Sequence, residues 1–421
     1  MSAEQPAAKP RLFSPYQVFL IVVLAFIQFT VILDFMVMAP LGAILMPTLK
    51  ISPAQFSHVV SGYAFAAGIA GLLAAGFADK YDRKKLLLVF YTGFLAGTLF
   101  CGLAPTYELL LVARIITGAF GGVIGSVGMA IVTDSFPMEK RGRVMGFTQM
   151  AFAVSQVLGI PVGLYLANQW DWHAPFLLIV GVGIVAGAVI ARFMRPVAEH
   201  LHLHHETDPV QHLVNTLRNN RYLVPFLGVV LLATGGFMMM PFSTAFQVNN
   251  LMIPKEKLPM IFMIVGACSF VTLPLVGKLS DSIGRLPTFI FGSVIAIAVM
   301  LYYSQLGPTP LWMVVVLSAT MFAGISSRMV SSSALMTAVP ELRDRGAFMS
   351  IMSSIQQISG GVAAWLGGLI VTQEEGKPLR HYDTLSYVCA GTMLICVVLI
   401  WLVDRQVKRH QSVAQAMRQA A

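Results

Sequence analysis

The chain has 421 residues, 57% hydrophobic and only 11% charged, with a formal net charge of +9. A soluble domain carries about a quarter charged residues, so a surface this apolar has to face lipid. Cys101, Cys268, Cys389 and Cys396 each lie inside an apolar stretch with no CxxC pair, which reads as small buried hydrophobes and argues against a disulfide framework or a metal site.

In chain order, the polar stretch Met1–Pro15 has no cleavage-site pattern and leads into an apolar run too long for a signal-peptide core. The expectation is an uncleaved cytoplasmic N-terminus. Membrane-crossing helices are predicted at 17–41, 54–77, 86–105, 107–134, 144–167, 172–192, 222–249, 257–279, 286–306, 310–337, 346–372 and 384–404. Each is long enough to cross with some tilt. The runs are continuous where barrel strands would alternate, and helices satisfy their own backbone hydrogen bonds, as lipid demands.

One long break, 193–221, holds Pro196, Pro209 and the histidines His200, His202, His204 and His205. It divides six spans from six. The predicted organisation is an N-terminal bundle at 1–192, a cytoplasmic linker at 193–221, and a C-terminal bundle with a cytoplasmic tail at 222–421. The histidines read as metal binding or pH sensing, or as part of a solvated amphipathic linker on the inner surface; the second reading is preferred, and no metal is assigned.

With the N-terminus inside, the inner loops and termini hold 21 Lys and Arg residues and the outer loops only Lys50, Lys255, Lys257, Lys377 and Arg380. This asymmetry fits the positive-inside rule for an even number of spans, with both termini cytoplasmic. It accounts for the basic charge without a nucleic-acid partner. Trp170, Trp172, Trp312 and Trp401 fall near predicted span ends, where interfacial anchors are expected.

The halves share a pattern in the loop after the second span of each. Gly76-Phe77-Ala78-Asp79-Lys80-Tyr81-Asp82-Arg83-Lys84-Lys85 answers to Gly277-Lys278-Leu279-Ser280-Asp281-Ser282-Ile283-Gly284-Arg285, and aligning Asp79 with Asp281 also aligns Arg83 with Arg285 at an offset of 202 residues. Parallel six-span halves are a transporter design. These stretches resemble the signature loop of the major facilitator superfamily, G-x-L-a-D-r-x-G-R-k. In the first copy Ala75 and Asp82 stand where that pattern has glycines. Arg114-Ile115-Ile116-Thr117-Gly118 resembles the family's R-x-x-q-G motif. Gly159-Ile160-Pro161-Val162-Gly163 resembles its G-P-x-x-G antiporter motif with the proline displaced by one. Leu33-Asp34 with Pro40 looks like the first-helix motif of drug/proton antiporters. The resemblance implies an all-α membrane protein of twelve transmembrane helices in two pseudo-symmetric six-helix bundles, moving a small molecule across the cell (inner) membrane by alternating access, most like the drug/proton antiporter branch, as a monomer and without a cofactor.

A charge at the bilayer centre costs at least about 2.5–3.5 kcal/mol and marks function. Within the predicted spans, apart from Glu108, Arg192, Lys257, Lys278 and Asp404 at the outermost residues, only Asp34, Asp134, Arg114 and Arg328 are charged. Asp34 in span one and Arg114 in span four lie at similar depths at 1.5 Å per residue; in the family both helices line the central cavity, so the two are expected to meet. Burial raises a carboxylate's pKa and a nearby arginine lowers it, so Asp34 held between these influences can load and release a proton; the alternative is a static pair that fixes helix packing. Arg328, placed near mid-depth, is always charged and suits an anionic or polar substrate group, or else pairs with Asp34 or with carbonyls of its own half. The family pairs an acid at the position of Asp134 with the signature-loop arginine, here Arg83. With Asp79, which would face the start of span eleven, and with Asp281 and Arg285, this predicts a latch on the inner gate.

Substrate contacts are expected from Thr30 and Met38, which share a face with Asp34; from Met239 and Phe242 in a span broken by Gly235, Gly236 and Pro241; and from Gln156, Gln356 and Gln357. Ordinary packing is the alternative for each. Gly118, Gly121, Gly122 and Gly125, with Gly360, Gly361, Gly367 and Gly368, read as close-packing surfaces. An enzyme is set aside because no phosphate-binding loop, HExxH or long loop occurs. The leading expectation is a proton antiporter exporting amphipathic or drug-like molecules; a lysolipid or organic-anion exporter and a sugar efflux carrier are the alternatives.

Overall fold

The computed structural model describes residues 13–198, 201, 209–341, 344–374 and 377–420. The histidine run of the linker and the side chain of Asp79 lie outside the described residues. Long helices run α1 Pro15–Met38, α2 Pro53–Phe77, α3 Arg83–Cys101, α4 Tyr107–Ser135, α5 Met138–Gln169 and α6 Ala174–Phe193. They continue as α7 Asn220–Asn249, α8 Leu258–Ile283, α9 Arg285–Tyr303, α10 Leu311–Met336, α11 Arg345–Ile370 and α12 Tyr382–Ala420. Two short helices, Gly42–Leu49 and Pro209–Arg218, lie between them.

Local chemistry sets several starts. Ser14 and Ser52 each form a capping box with the glutamine three residues on, Gln17 and Gln55, and each is followed by a helix-starting proline. Asp82 caps α3 through the Lys84 amide at 2.8 Å, and Thr106 caps α4. Among the described residues 11 helices are long and apolar enough to cross a membrane. α11, at 26 residues, matches them in length; Ser353, Ser354, Gln356, Gln357 and Ser359 make it more polar.

The boundaries correct the sequence reading at two places. α5 begins at Met138 rather than 144, and α12 runs on to Ala420 rather than ending at 404. Its polar extension is helical, and Lys408 reaches back one turn to Asp404 at 2.7 Å. Two helices change geometry midway. In α7 a 3-10 turn occupies Met240–Phe242, where Pro241 removes a backbone donor. In α5 a π turn occupies Ser155–Gly159, directly before Ile160-Pro161; Pro161 can neither donate to the preceding turn nor fit against its carbonyl, and a widened turn relieves both.

The helix ends form two faces. On the terminal face Phe13 meets Phe136 with ring centroids 6.3 Å apart, the Lys84 ammonium donates to the Ala191 carbonyl at 2.9 Å, and the Arg195 amide donates to the Tyr16 hydroxyl at 2.9 Å. On the opposite face Thr244 donates to the Ala39 carbonyl at 3.2 Å, the Asn168 amide donates to the Lys255 carbonyl at 3.1 Å, and Asn250 bonds Leu379 in both directions. The first two join helices before the linker to helices after it.

Packing is closest along α2. A Cβ at Gly118 or Gly122 of α4 would collide with the carbonyls of Tyr63 and Ala67, and one at Gly368 of α11 with Ser57. Only residues without a side chain allow these backbones so near. Gly125, expected in the same role, faces open space. α5 meets α8 through its Ser155–Gln169 portion and hardly at all through Met138–Val154. Along this seam the two sets of helices therefore meet toward the opposite face, whereas α2 and α11 stay in contact from Ser57 and Gly368 to Gly71 and Ser354. The helix Pro209–Arg218 rests on α2, α7 and α11 on the terminal face. Trp172 corrects the expectation of an interfacial anchor: it is 2% exposed, against Phe176 and His173. Trp170 is exposed.

Candidate functional site

Asp34, four residues from the end of α1, and Arg114, two turns into α4, come together. Arg114 Nη1 lies 2.6 Å from Asp34 Oδ2, and both side chains are 0% exposed. Thr98 of α3 donates to Asp34 Oδ1 at 3.2 Å and to the Phe94 carbonyl at 2.9 Å. Tyr63 of α2 places its ring 4.3 Å from the Arg114 guanidinium carbon, a cation–π contact between two buried side chains. Arg114 Nε and Nη2 have no hydrogen-bond partner among the described residues. The pair thus sits inside the packing of α1, α2, α3 and α4 rather than on a lumen wall.

Burying both ions costs several kcal/mol each, which mutual attraction repays only with good geometry. A hydrophobic pair would serve stability as well. The chemistry available here is different: protonating Asp34 removes the negative charge, breaks the balance with Arg114 and loosens the link between α1 and α4. Thr98 and Tyr63 gave no signal in the sequence, because single hydroxyl residues are common in apolar helices.

The other predicted residues separate into groups. Thr30 is buried, donates to the Ile27 carbonyl at 2.8 Å and meets the Tyr91 hydroxyl at 3.2 Å. Met38 and Phe242 are fully buried in the core. None of these three opens to a lumen in this conformation. Gln156, Met239, Gln356 and Gln357 are half-buried, with the Gln156 backbone against Gly266 of α8.

Arg328 lies eight residues before the end of the 26-residue α10, on the side of the terminal face. It is 2% exposed and stands over the Phe289 ring of α9 at 5.5 Å, beside the Cys396 thiol of α12. It does not reach Asp34.

On the terminal face Arg83 Nε lies 3.2 Å from Asp134 Oδ2, and its Nη1 donates to the Ala78 carbonyl at 2.8 Å. The second copy of the loop is built differently. Arg285 donates to the Ala334 carbonyl at 2.8 Å, and Asp281 is exposed. At the same offset of 202 residues the counterpart of Asp134 is Met336, so Arg285 has no carboxylate there and takes a backbone oxygen.

A bundle of long apolar helices with a buried ion pair in its packing defines a multi-pass membrane protein. A family model described as Major Facilitator Superfamily matches residues 24–325 and 226–420, and the chain belongs to that superfamily. Among curated relatives, Multidrug resistance protein 3 of Bacillus subtilis (strain 168) is 33% identical over 147 residues, a stretch that is 35% of this chain and 28% of that one. This chain therefore spans less than a third of that relative's length. Among solved structures, an inward-facing, unoccupied bacterial homologue of the human lysosomal transporter Spinster superposes with a TM-score of 0.77 at 16% identity, covering 94% of this chain and 98% of that one. The nucleoside transporter NupG superposes with a TM-score of 0.72 at 14% identity, covering 91% and 99%. These two share its fold.

Proposed function

We propose that this transporter is a proton-coupled antiporter of the drug/proton branch, exporting small amphipathic or drug-like molecules by alternating access. The terminal face is assigned to the cytoplasm of a cell (inner) membrane. The moving units are the six-helix halves 1–192 and 222–421, joined by the linker 193–221, in a monomer. The observation that carries the reading is the fully buried Asp34–Arg114 pair. Asp34 is the carboxylate in this chain that can take a proton inside the membrane packing and, by doing so, change how α1 holds α4.

The half-buried Gln156, Met239, Gln356 and Gln357 are assigned to substrate contact, Thr30 and Met38 to the wall behind Asp34, and Phe242 to the closed face. Arg83 with Asp134 is assigned to the inner latch, which Asp79 is expected from the sequence to join; Arg285 fixes the corresponding loop of the second half to α10, with Asp281 at its exposed edge. Sparse polar groups among Met, Phe and Leu suit an amphipathic cargo over a sugar.

The test is a substrate screen in proteoliposomes with an imposed pH gradient, beside Asp34→Asn. Substrate uptake should follow the gradient, release protons in exchange, and lose that dependence in the variant. Movement that ignores the gradient, or proton exchange undiminished in Asp34→Asn, refutes the coupling.

A further inference from the structure

The second buried arginine lacks the carboxylate that the first enjoys. Arg328 is 2% exposed, yet no carboxylate comes within 4.0 Å of it among the described residues, and its Nε and Nη2 have no hydrogen-bond partner. Its surroundings are the Phe289 ring of α9 and the thiols of Cys389 and Cys396 on α12. Cys396 is itself directed at the Gly228 carbonyl of α7 at 3.8 Å. An arginine cannot escape by losing its proton, and a buried charge without a counter-charge is strongly unfavourable.

A second unfilled donor lies one turn away. Ser331 is fully buried and its hydroxyl has no partner, whereas Ser327 and Ser332 on either side return theirs to the Ala323 and Met329 carbonyls at 2.8 and 3.2 Å. Residues three apart on a helix stand on the same side, about 5–6 Å between Cβ atoms. Arg328 and Ser331 therefore offer two N–H groups and one O–H from neighbouring positions, with aromatic and thiol groups around them and no acid.

We propose that Arg328 and Ser331 hold a small monovalent anion, a halide or a group of carboxylate size, inside the packing of α7, α9, α10 and α12. The place argues for a resident ion over cargo. Cargo has to pass between the two sets of helices, and Arg328 is enclosed within one of them. Close contact between Gly292 of α9 and Ser327 of α10 leaves no space for a bulky organic anion. The ion supplies the missing charge and ties α10 to its neighbours, so this site is independent of the proton at Asp34.

The experiment uses the full chain in detergent, with chloride, bromide or nitrate titrated against gluconate at constant ionic strength. Melting temperature is followed, and bromide is located by anomalous diffraction. A saturable rise in Tm with each small anion is expected, and bromide should lie within hydrogen-bond reach of Arg328. Ser331→Ala should raise the half-saturating concentration by about tenfold, the equivalent of one hydrogen bond to a charged group. Arg328→Gln, which keeps a polar side chain and removes the charge, should melt at a temperature that the halide does not alter. Should Arg328→Gln fail to fold, Ser331→Ala and the diffraction experiment decide. Equal halide response in wild type and variants, or bromide absent from Arg328, overturns the proposal. Labelled chloride carried through liposomes by wild type and lost in Ser331→Ala overturns the resident role in favour of cargo.

Discussion

Removing either partner of the Asp34–Arg114 pair should damage the protein, but by different routes that pH separates. In Arg114→Met the carboxylate stays in a site with no exposure, and it has one escape, which is to fold as the neutral acid. Against an ordinary aspartate pKa of about 3.9, holding that proton at pH 7 costs about 4 kcal/mol, which caps the penalty. The folded variant keeps a proton that the unfolded chain releases above about pH 4, so its stability grows as pH falls. Between pH 7 and 5.5 it should regain about 2 kcal/mol. Asp34→Leu strands Arg114, which has no neutral form within reach, and the loss of about 3–5 kcal/mol should not recover in acid. Thr98 donates to Asp34 in the wild type and can accept from the protonated acid in Arg114→Met. The assay is the melting temperature of each variant in detergent from pH 5.5 to 8, followed by tryptophan fluorescence and read relative to wild type. If Arg114→Met shows no relative gain in acid, or Asp34→Leu gains equally, the argument from buried charge fails.

Further outcomes follow from the packing. Gly118→Val drives a side chain into the Tyr63 carbonyl and should cost about 1–3 kcal/mol, read as a lower Tm. Trp172→Ala removes a side chain 2% exposed and should cost about 3–5 kcal/mol, which an interfacial tryptophan would not. Asp134→Asn takes the charge facing Arg83; cysteine labelling on the terminal face should speed up in the variant while Tm falls by about 1–3 kcal/mol equivalent. Asn168→Cys with Lys255→Cys, placed where the Asn168 side chain meets the Lys255 carbonyl at 3.1 Å, should cross-link, stop transport, and recover on reduction.

Long apolar runs made the helices legible, because a segment that must satisfy its own backbone in lipid has to be long and uninterrupted. The end of α12 was not, since hydropathy marks where lipid stops and says nothing of where a charged helix stops. The Asp34–Arg114 meeting was readable from rarity and depth together with the family resemblance, which puts both helices at one cavity. What surrounds the pair was not, since Thr98 and Tyr63 are ordinary residues whose meaning comes from the neighbours that folding brings. Arg328 was conspicuous for the same reason as Arg114, but depth along a helix does not say which way a side chain turns. Reading it as a cavity residue required the rotation of α10, and that is set by Gly324 and Ser327 packing against Gly292 and Ala296 of α9. Trp172 shows the same limit: position near a span end suggested an anchor, and its ring is enclosed instead.

The wide turn at Ser155–Gly159 gives α5 the properties of a lever. Beyond it the helix is clamped to α8; before it, Met138–Val154 hangs nearly free of that partner. The arm from Gly159 back to Met138, which packs on α1 in place of α8, is about 30 Å long at 1.5 Å per residue. A tilt of about 10° at such a fulcrum would carry its tip roughly 5 Å, close to one full helical pitch. The mouth on the terminal face can then be widened or narrowed by a small bend at one softened turn, with the clamped side scarcely disturbed.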